Sequence, residues 1–277
     1  METLDLIIIF GGTSFAFLAV LGWKIARAAR RRKLFTQPFP EKWKKYVENN
    51  VSIYNSLPSH FKKELLGHIN VFLGEKHFEG CGGQEITDEI KVTVAAQACL
   101  LLLNKKTEYF SKLASILIYP EAYVANGPSR MGNQTINDHS ARLGESWMRG
   151  VVVLAWQHVK NGGSNTHDGN NVVLHEFAHQ LDQETGAANG APIMQGINPK
   201  EWSKIFQHDF EELQDEVEHG HRDVIDAYGA TNPAEFFAVA TETFFEKPSQ
   251  LKEVHPDLYR ELQIFYKVNP LEWHSQS

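Results

Sequence analysis

Apolar positions recur every three or four residues over 41–55 and again over 59–73, which predicts two amphipathic helices. Leu57-Pro58-Ser59 breaks the chain between them, and Ser59 is placed to cap the second. The run TDEIKVTVAAQACLLLL at 87–103 opens on a capping Thr87 and two acids, then turns almost wholly apolar, as a central core helix would. Short β-rich runs follow at 116–120 (ILIYP) and 151–156 (VVVLAW), with a Gly-rich loop at 161–170. Helical patterns then occupy about 171–185, 199–218, 232–246 and 256–267. The pattern reads as an α+β fold, helix-dominated, with one small sheet.

From Leu6 to Trp23 the pattern changes character: eighteen residues, LIIIFGGTSFAFLAVLGW, carry no charge. At about 1.5 Å per residue a helix there covers about 27 Å, enough for a thin bilayer. Glu2 and Asp5 precede the run, and Lys24, Arg27, Arg30, Arg31, Arg32 and Lys33 follow it. A cleavable signal peptide has its positive charge on the other side, so the run reads as a retained transmembrane helix. The positive-inside rule puts its N-terminus outside and everything after Lys24 in the cytoplasm. The expected organisation is an inner-membrane anchor over 1–33, inserted through residues 6–23, a connector over 34–40 and one domain over 41–277. The basic end is expected to touch anionic lipid.

At 277 residues, 42% hydrophobic and 22% charged, the chain has ample apolar surface to fold. Its two cysteines, Cys81 and Cys99, exclude a disulfide scaffold and a four-cysteine zinc site. The net charge of −7 is uneven: the first 33 residues hold six basic and two acidic side chains, leaving a net −11 on the rest. A body that acidic is a poor polyphosphate binder, and direct nucleic-acid binding is not expected.

The chemistry concentrates at His175-Glu176-Phe177-Ala178-His179. On a helix, residues four apart share a face, so both imidazoles can reach one metal ion, and Glu176 projects beside it as a base for water. Asn170 and Asn171 can cap this helix, and Gly186 can end it. A catalytic zinc needs a third protein ligand. The position six after His179 is Thr185, so that ligand comes from elsewhere. Glu235 and Glu242 share a face of the helix that Asn232 or Thr231 caps, and spacing does not separate them. Asp182, one turn past His179, can orient a ligand or be a plain helix acid. His167, His219 and His221 read as loop histidines, the last two able to line a cleft.

The sequence resembles the Mlc titration factor A family of zinc peptidases, itself similar around the metal to the catalytic domain of anthrax lethal factor. The matching stretches are FEGCGGQEITDEIKVTVAAQACLLLL (78–103), LGESWMRGVVVLAW (143–156), DGNNVVLHEFAHQLD (168–182), ANGAP (188–192) and YGATNPAEFFAVATE (228–242). The resemblance implies a zincin-like peptidase with one zinc ion per chain on His175, His179 and Glu235. It implies Glu176 as general base, Tyr228 on the oxyanion, and a peptide or protein as substrate. It also implies a transcriptional regulator as a possible partner, and hence an alternative reading as a regulatory binding module. Soluble members of the family are cytoplasmic, so the apolar N-terminal run is an addition to the pattern.

Overall fold

The computed structural model describes residues 2–121, 150–193 and 196–274, with side chains at 18–121, 150–184, 186–193 and 196–273. The matching stretch at 143–149 lies outside them, as does most of the apolar run at 6–23 as far as its side chains go. Five helices and a strand lead to the middle of the chain: α1 (Glu2–Phe35), α2 (Glu41–Asn50), α3 (Ser52–Ser56), α4 (Ser59–Glu75), β1 (His77–Gly80) and α5 (Asp88–Leu100). Strands β2 (Ser115–Tyr119) and β3 (Val151–Ala155) follow, then α6 (Trp156–Ser164) and α7 (Val172–Asp182). Helices α8 (Pro199–Glu218), α9 (Pro233–Glu246), α10 (Pro248–Val254), α11 (Pro256–Tyr266) and α12 (Leu271–His274) complete the described chain. This is the helix-dominated α+β fold expected, with one three-stranded sheet among the described residues.

The sheet is parallel, in the order β1-β2-β3, with Phe78 opposite Ile116 and Ile116 opposite Val152. Alternation along β2 and β3 sends Ile116, Ile118, Val152 and Leu154 into the core. Helix α5 crosses over between β1 and β2. Thr87 caps it by accepting from the Ile90 amide, and Val92 through Leu100 are all buried, so it is the core helix its composition predicts. Phe110 packs edge-on against Phe72 and Phe177, with Phe110 and Phe177 centroids 4.8 Å apart, and Phe72 lies tilted against Phe177. Phe177 lies inside the His-Glu-Phe-Ala-His stretch, so the helix carrying the candidate chemistry is anchored by its back face.

Helix α1 runs past the expected boundary at residue 33, and its last turns belong to the body. A Cβ at Gly67 would meet the Phe35 ring at 2.8 Å, and one at Gly74 would meet Leu34 Cδ1 at 2.8 Å. These two glycines, two turns apart on α4, leave the groove in which α1 lies. The Arg31 guanidinium donates to both carboxylate oxygens of Glu75, at 2.7 and 2.9 Å, and to Glu108 at 2.9 Å, and lies over the Tyr109 ring at 4.8 Å. Arg27 also faces Glu75, at 3.5 Å. Part of the basic run therefore meets protein acids where the charge pattern suggests lipid. Among the described residues no helix is long and apolar enough to cross a membrane.

Arg31→Ala is expected to destabilise the fold by about 2–3 kcal/mol, because it leaves a largely buried carboxylate with only its longer contact to Arg27. At this chain length that lowers Tm by roughly 4–12 °C. Thermal unfolding of the full chain measures it, and a Tm within a degree of wild type would show that α1 is not held this way.

A second buried ionic set fixes the far side of the body. His255 donates from Nδ1 to Asp209 of α8 at 3.0 Å and faces Asp223 at 3.0 Å through Nε2, joining α8, the loop before Tyr228 and the α10–α11 junction. Burial alone would lower the His255 pKa, but its bonds to the two aspartates outweigh it and raise it to about 9. Burial raises Asp223, and its bond to His255, together with backbone bonds at Ile225 and Val224 and the His255 charge, reverses this and leaves it below the ordinary aspartate value. The histidine contribution is thus complete below its unfolded value of about 6.5 and disappears as pH climbs through about 9. The Asp223 contribution is present above about pH 4 and lost as pH falls further. His255→Gln should therefore cost on the order of 3 kcal/mol more at pH 6 than at pH 10. Denaturant unfolding of both proteins at the two pH values tests this; a difference independent of pH would refute the charged pair.

Candidate metal centre

Two helix starts and one loop build the site. Asn171 caps α7, its side-chain oxygen accepting from the Val173 and Leu174 amides at 3.1 Å each. Asn232 caps α9 in the same way, accepting from Ala234 at 3.0 Å and Glu235 at 3.1 Å, with Pro233 in the first turn. The two helices pack side by side, which brings Glu235 to the face of α7 that carries His175 and His179. At the other end of that face, Asp182 accepts from the amides of Gly190 at 2.7 Å and Ala191 at 3.0 Å. Gly190 adopts φ +74°, and a Cβ there would meet the Pro233 carbonyl at 2.5 Å, so only glycine lets this loop lie against the start of α9. Asp182 thus stitches the histidine helix to the glutamate helix through the loop 188–192. Asp182 is fully buried, so the plain helix acid of the sequence reading does not describe it.

The donors converge. His175 Nε2 and His179 Nε2 are 3.2 Å apart, and Glu235 Oε2 lies 3.0 Å from the first and 3.3 Å from the second. Their side chains retain 12%, 11% and 11% of their exposure, so the cluster is nearly enclosed yet reachable from solvent. Glu242 takes a different place: its Oε1 accepts from His175 Nδ1 at 2.8 Å, and its Oε2 accepts the Asn171 amide. With the Glu242 oxygen accepting at Nδ1, His175 turns Nε2 toward the other two donors, where it would offer its lone pair to a metal once its second proton is released. The spacing alone leaves Glu235 and Glu242 level; the geometry separates them.

Electrostatics agree with a site built for a cation. Burial would raise Glu235, but its contacts with His175 and His179 outweigh that and hold it at about 2. Burial would lower His175, and the two glutamates more than compensate, holding it well above the ordinary histidine value. Glu176 is pushed up to about 8, by burial first and then by the charges of Glu235 and Glu242, with His175 opposing. Its Oε2 is buried without a hydrogen-bond partner among the described residues. Two imidazole nitrogens and one carboxylate oxygen at this spacing are the donor set that suits zinc, and the bare Glu176 oxygen beside them suits a bound water. The residues fit the metal.

Tyr228 is half-buried on the 3₁₀ turn Ala227–Thr231, whose start Asp226 caps by accepting the Tyr228 amide at 2.9 Å. Its ring centroid stands 6.0 Å from that of His175. His167 is exposed, while His219 and His221 pair with Asp215 and Glu216 at the end of α8. None of the three joins the cluster. Missed by sequence reasoning were the Glu242–His175 bond and the buried Glu246. Their signal was the repeat of acids at 235, 242 and 246 along one helix, which can be read as function only once that helix is known to face α7.

Comparison with known proteins agrees with this geometry. Residues 25–267 match the family described as glucose-regulated metallo-peptidase M90, beginning just after the apolar run. An uncharacterized protein of Synechocystis sp. is 40% identical over 245 residues, covering 87% of this chain and 89% of its own length. Mlc titration factor A of Escherichia fergusonii is 30% identical over 225 residues, with 80% and 84% of the two chains covered. The same factor from Klebsiella pneumoniae is 32% identical over 205 residues, covering 73% and 77%. With a match across most of its length and the metal-type cluster inside it, the chain belongs to the M90 metallopeptidase family, that of Mlc titration factor A.

Proposed function

We propose that this protein is a zinc-dependent peptidase, tethered to the inner membrane by α1 and working on the cytoplasmic side. The convergence of His175, His179 and Glu235 beside the unpartnered oxygen of Glu176 carries the reading. Zinc held by Nε2 of the two histidines and by a Glu235 oxygen would supply a Lewis acid that lowers the pKa of water and polarises a carbonyl. Glu176 takes the proton from the attacking water and returns it to the amine that leaves as the C–N bond breaks. The Tyr228 hydroxyl donates to the carbonyl oxygen as negative charge develops there. Glu242 keeps His175 in the tautomer that directs Nε2 inward.

The chain, purified at full length in detergent, is expected to contain about one zinc per molecule and to cleave members of a peptide library. Chelation should stop cleavage with little change in far-UV circular dichroism, because the large core surrounds the site independently of metal. Global unfolding on chelation would make the site structural, and a zinc-free, inactive protein would remove the peptidase reading.

Membrane tethering is supported by α1 beyond the body, where Leu18, Val20, Leu21, Trp23 and Ile25 are exposed on all faces. A C-terminal reporter active only in the cytoplasm should give signal, and carbonate should not extract the protein; release into the soluble fraction would sink the anchor. A second reading, sequestration of a transcriptional regulator, is favoured by the name of the relatives, which are called titration factors of Mlc. Glu176 separates the two, since a binding module has no chemical use for a base.

A further inference from the structure

Behind His175, on its Nδ1 side, α9 buries a second carboxyl group that the proposed reaction does not use. Glu246 is 2% exposed, one turn beyond Glu242, and no Lys, Arg or His pairs with it among the described residues. Its Oε1 accepts from Asn171 Nδ2 at 3.1 Å, and its Oε2 is buried without a partner. Burial of this kind disfavours the ionised form of a carboxyl group. Burial, opposed by its bonds to Asn171 and to the Asn170 backbone and helped by the charges of Glu242 and Asp168, pushes it up to about 8.

Asn171 is the hub. It is 1% exposed, and every polar atom of its side-chain amide is engaged. The oxygen accepts from Val173 and Leu174, and the nitrogen donates to Gly162 O at 3.1 Å and to Glu246. Four bonds in four directions fix the amide plane and, with it, the backbone of residue 171. That backbone N–H is the one that Glu242 Oε2 accepts, while Glu242 Oε1 holds His175 Nδ1. One continuous set of hydrogen bonds therefore runs from Glu246 through Asn171 and Glu242 to the imidazole. Without the Glu246 acceptor, a buried N–H of Asn171 is unsatisfied, and relief by rotation of the amide moves the anchor of Glu242.

The geometry points to Glu246 as a positioning residue: through Asn171 it holds Glu242 against His175, and so orients the imidazole toward the metal. This rests on the proposed zinc site for its consequence, though the bonded set itself does not. The role needs an acceptor oxygen and no net charge, both of which glutamine supplies. Leucine supplies neither, but fills the same space.

The test compares wild type, Glu246→Gln and Glu246→Leu as full-length chains. Amide hydrogen exchange at residue 171 in the metal-free protein reads the first half of the set, and zinc affinity in competition with a chelating dye reads the second. Glu246→Gln should match wild type in both. Glu246→Leu should exchange faster at residue 171 and bind zinc roughly 10–100-fold more weakly, the usual loss when a partner behind a ligand is removed. Without metal it should still unfold cooperatively, its midpoint lowered by no more than the loss of one buried hydrogen bond, since leucine fills the space while an Asn171 N–H loses its acceptor. A Leu variant with wild-type zinc affinity and exchange overturns the inference, as does a Gln variant as impaired as the Leu variant. If wild type binds no zinc, the peptidase reading fails, while exchange at residue 171 still decides whether Glu246 holds Asn171.

Discussion

Glu176→Gln is expected to leave zinc bound and to slow peptide hydrolysis by about 10²–10⁴, the range that loss of a general base removes. The substitution preserves size and one oxygen, and Glu176 is not among the three converging donors, so the metal set is untouched. It removes the only feature that suits Glu176 to its place, a carboxylate able to accept a proton beside the His175–His179–Glu235 cluster. Its burial and the neighbouring acids already push proton affinity upward, the direction that makes a carboxylate a stronger base. Zinc content by elemental analysis and single-turnover cleavage of a peptide separate the two effects. Loss of zinc together with activity would place Glu176 in the metal set. Undiminished cleavage would put the base elsewhere, and unchanged cellular function with cleavage abolished would favour the regulator-binding reading.

The helices that locate this chemistry were legible because each carries a local signal at its start. Periodicity and caps place helices over 59–73, 199–218 and 232–246, and the structure has them at Ser59–Glu75, Pro199–Glu218 and Pro233–Glu246. The His175–His179 pair was equally plain, since spacing of four on a helix is a local fact. Strand β1 was not. His77–Gly80 buries only Phe78, and its place is set by pairing with Ser115–Ile118, a contact between distant segments that no alternation announces. Helix α6 was hidden for another reason. Gly162 and Gly163 read as loop residues, yet Gly163 is where α6 meets α2: a Cβ there would lie 2.4 Å from the Asn50 carbonyl. The glycine reports close packing, and its sequence signature is the same as that of a turn.

The basic run after Trp23 shows the same limit in electrostatics. Charge counting identifies six cations and an abrupt end to the apolar stretch, but not their partners. Arg31 finds Glu75 and Glu108, and Arg30 donates to the Gly74 carbonyl at 2.9 Å, so the end of α1, which runs on through residues 34 and 35, is part of the body. The Asp209–His255–Asp223 set is likewise assembled from three separate segments. In each case the side chains were visible in the sequence and the burial that gives them meaning was not.

Glu235→Ala and Glu242→Ala should separate as loss of a ligand and loss of its support. Zinc binding of about 10–16 kcal/mol shared over four ligands gives roughly 3 kcal/mol each, so Glu235→Ala should weaken zinc by on the order of 10²–10³. The remaining histidines then have no anionic donor, and cobalt substituted into the site should lose the absorption of a four-coordinate centre. Glu242→Ala leaves all three converging donors in place. It frees His175 Nδ1 and leaves the buried Asn171 amide without its acceptor, which should cost roughly 10–100-fold in zinc affinity while the cobalt spectrum keeps its form. Spacing from the sequence allowed either carboxylate to complete the site, with the other indifferent to metal. The structure replaces that choice with a graded one, because Glu242 touches the same imidazole from behind. Equal losses with the same spectral change would mean that both carboxylates reach the metal. A larger loss at Glu242 would mean that Nδ1 of His175, and not Nε2, faces it.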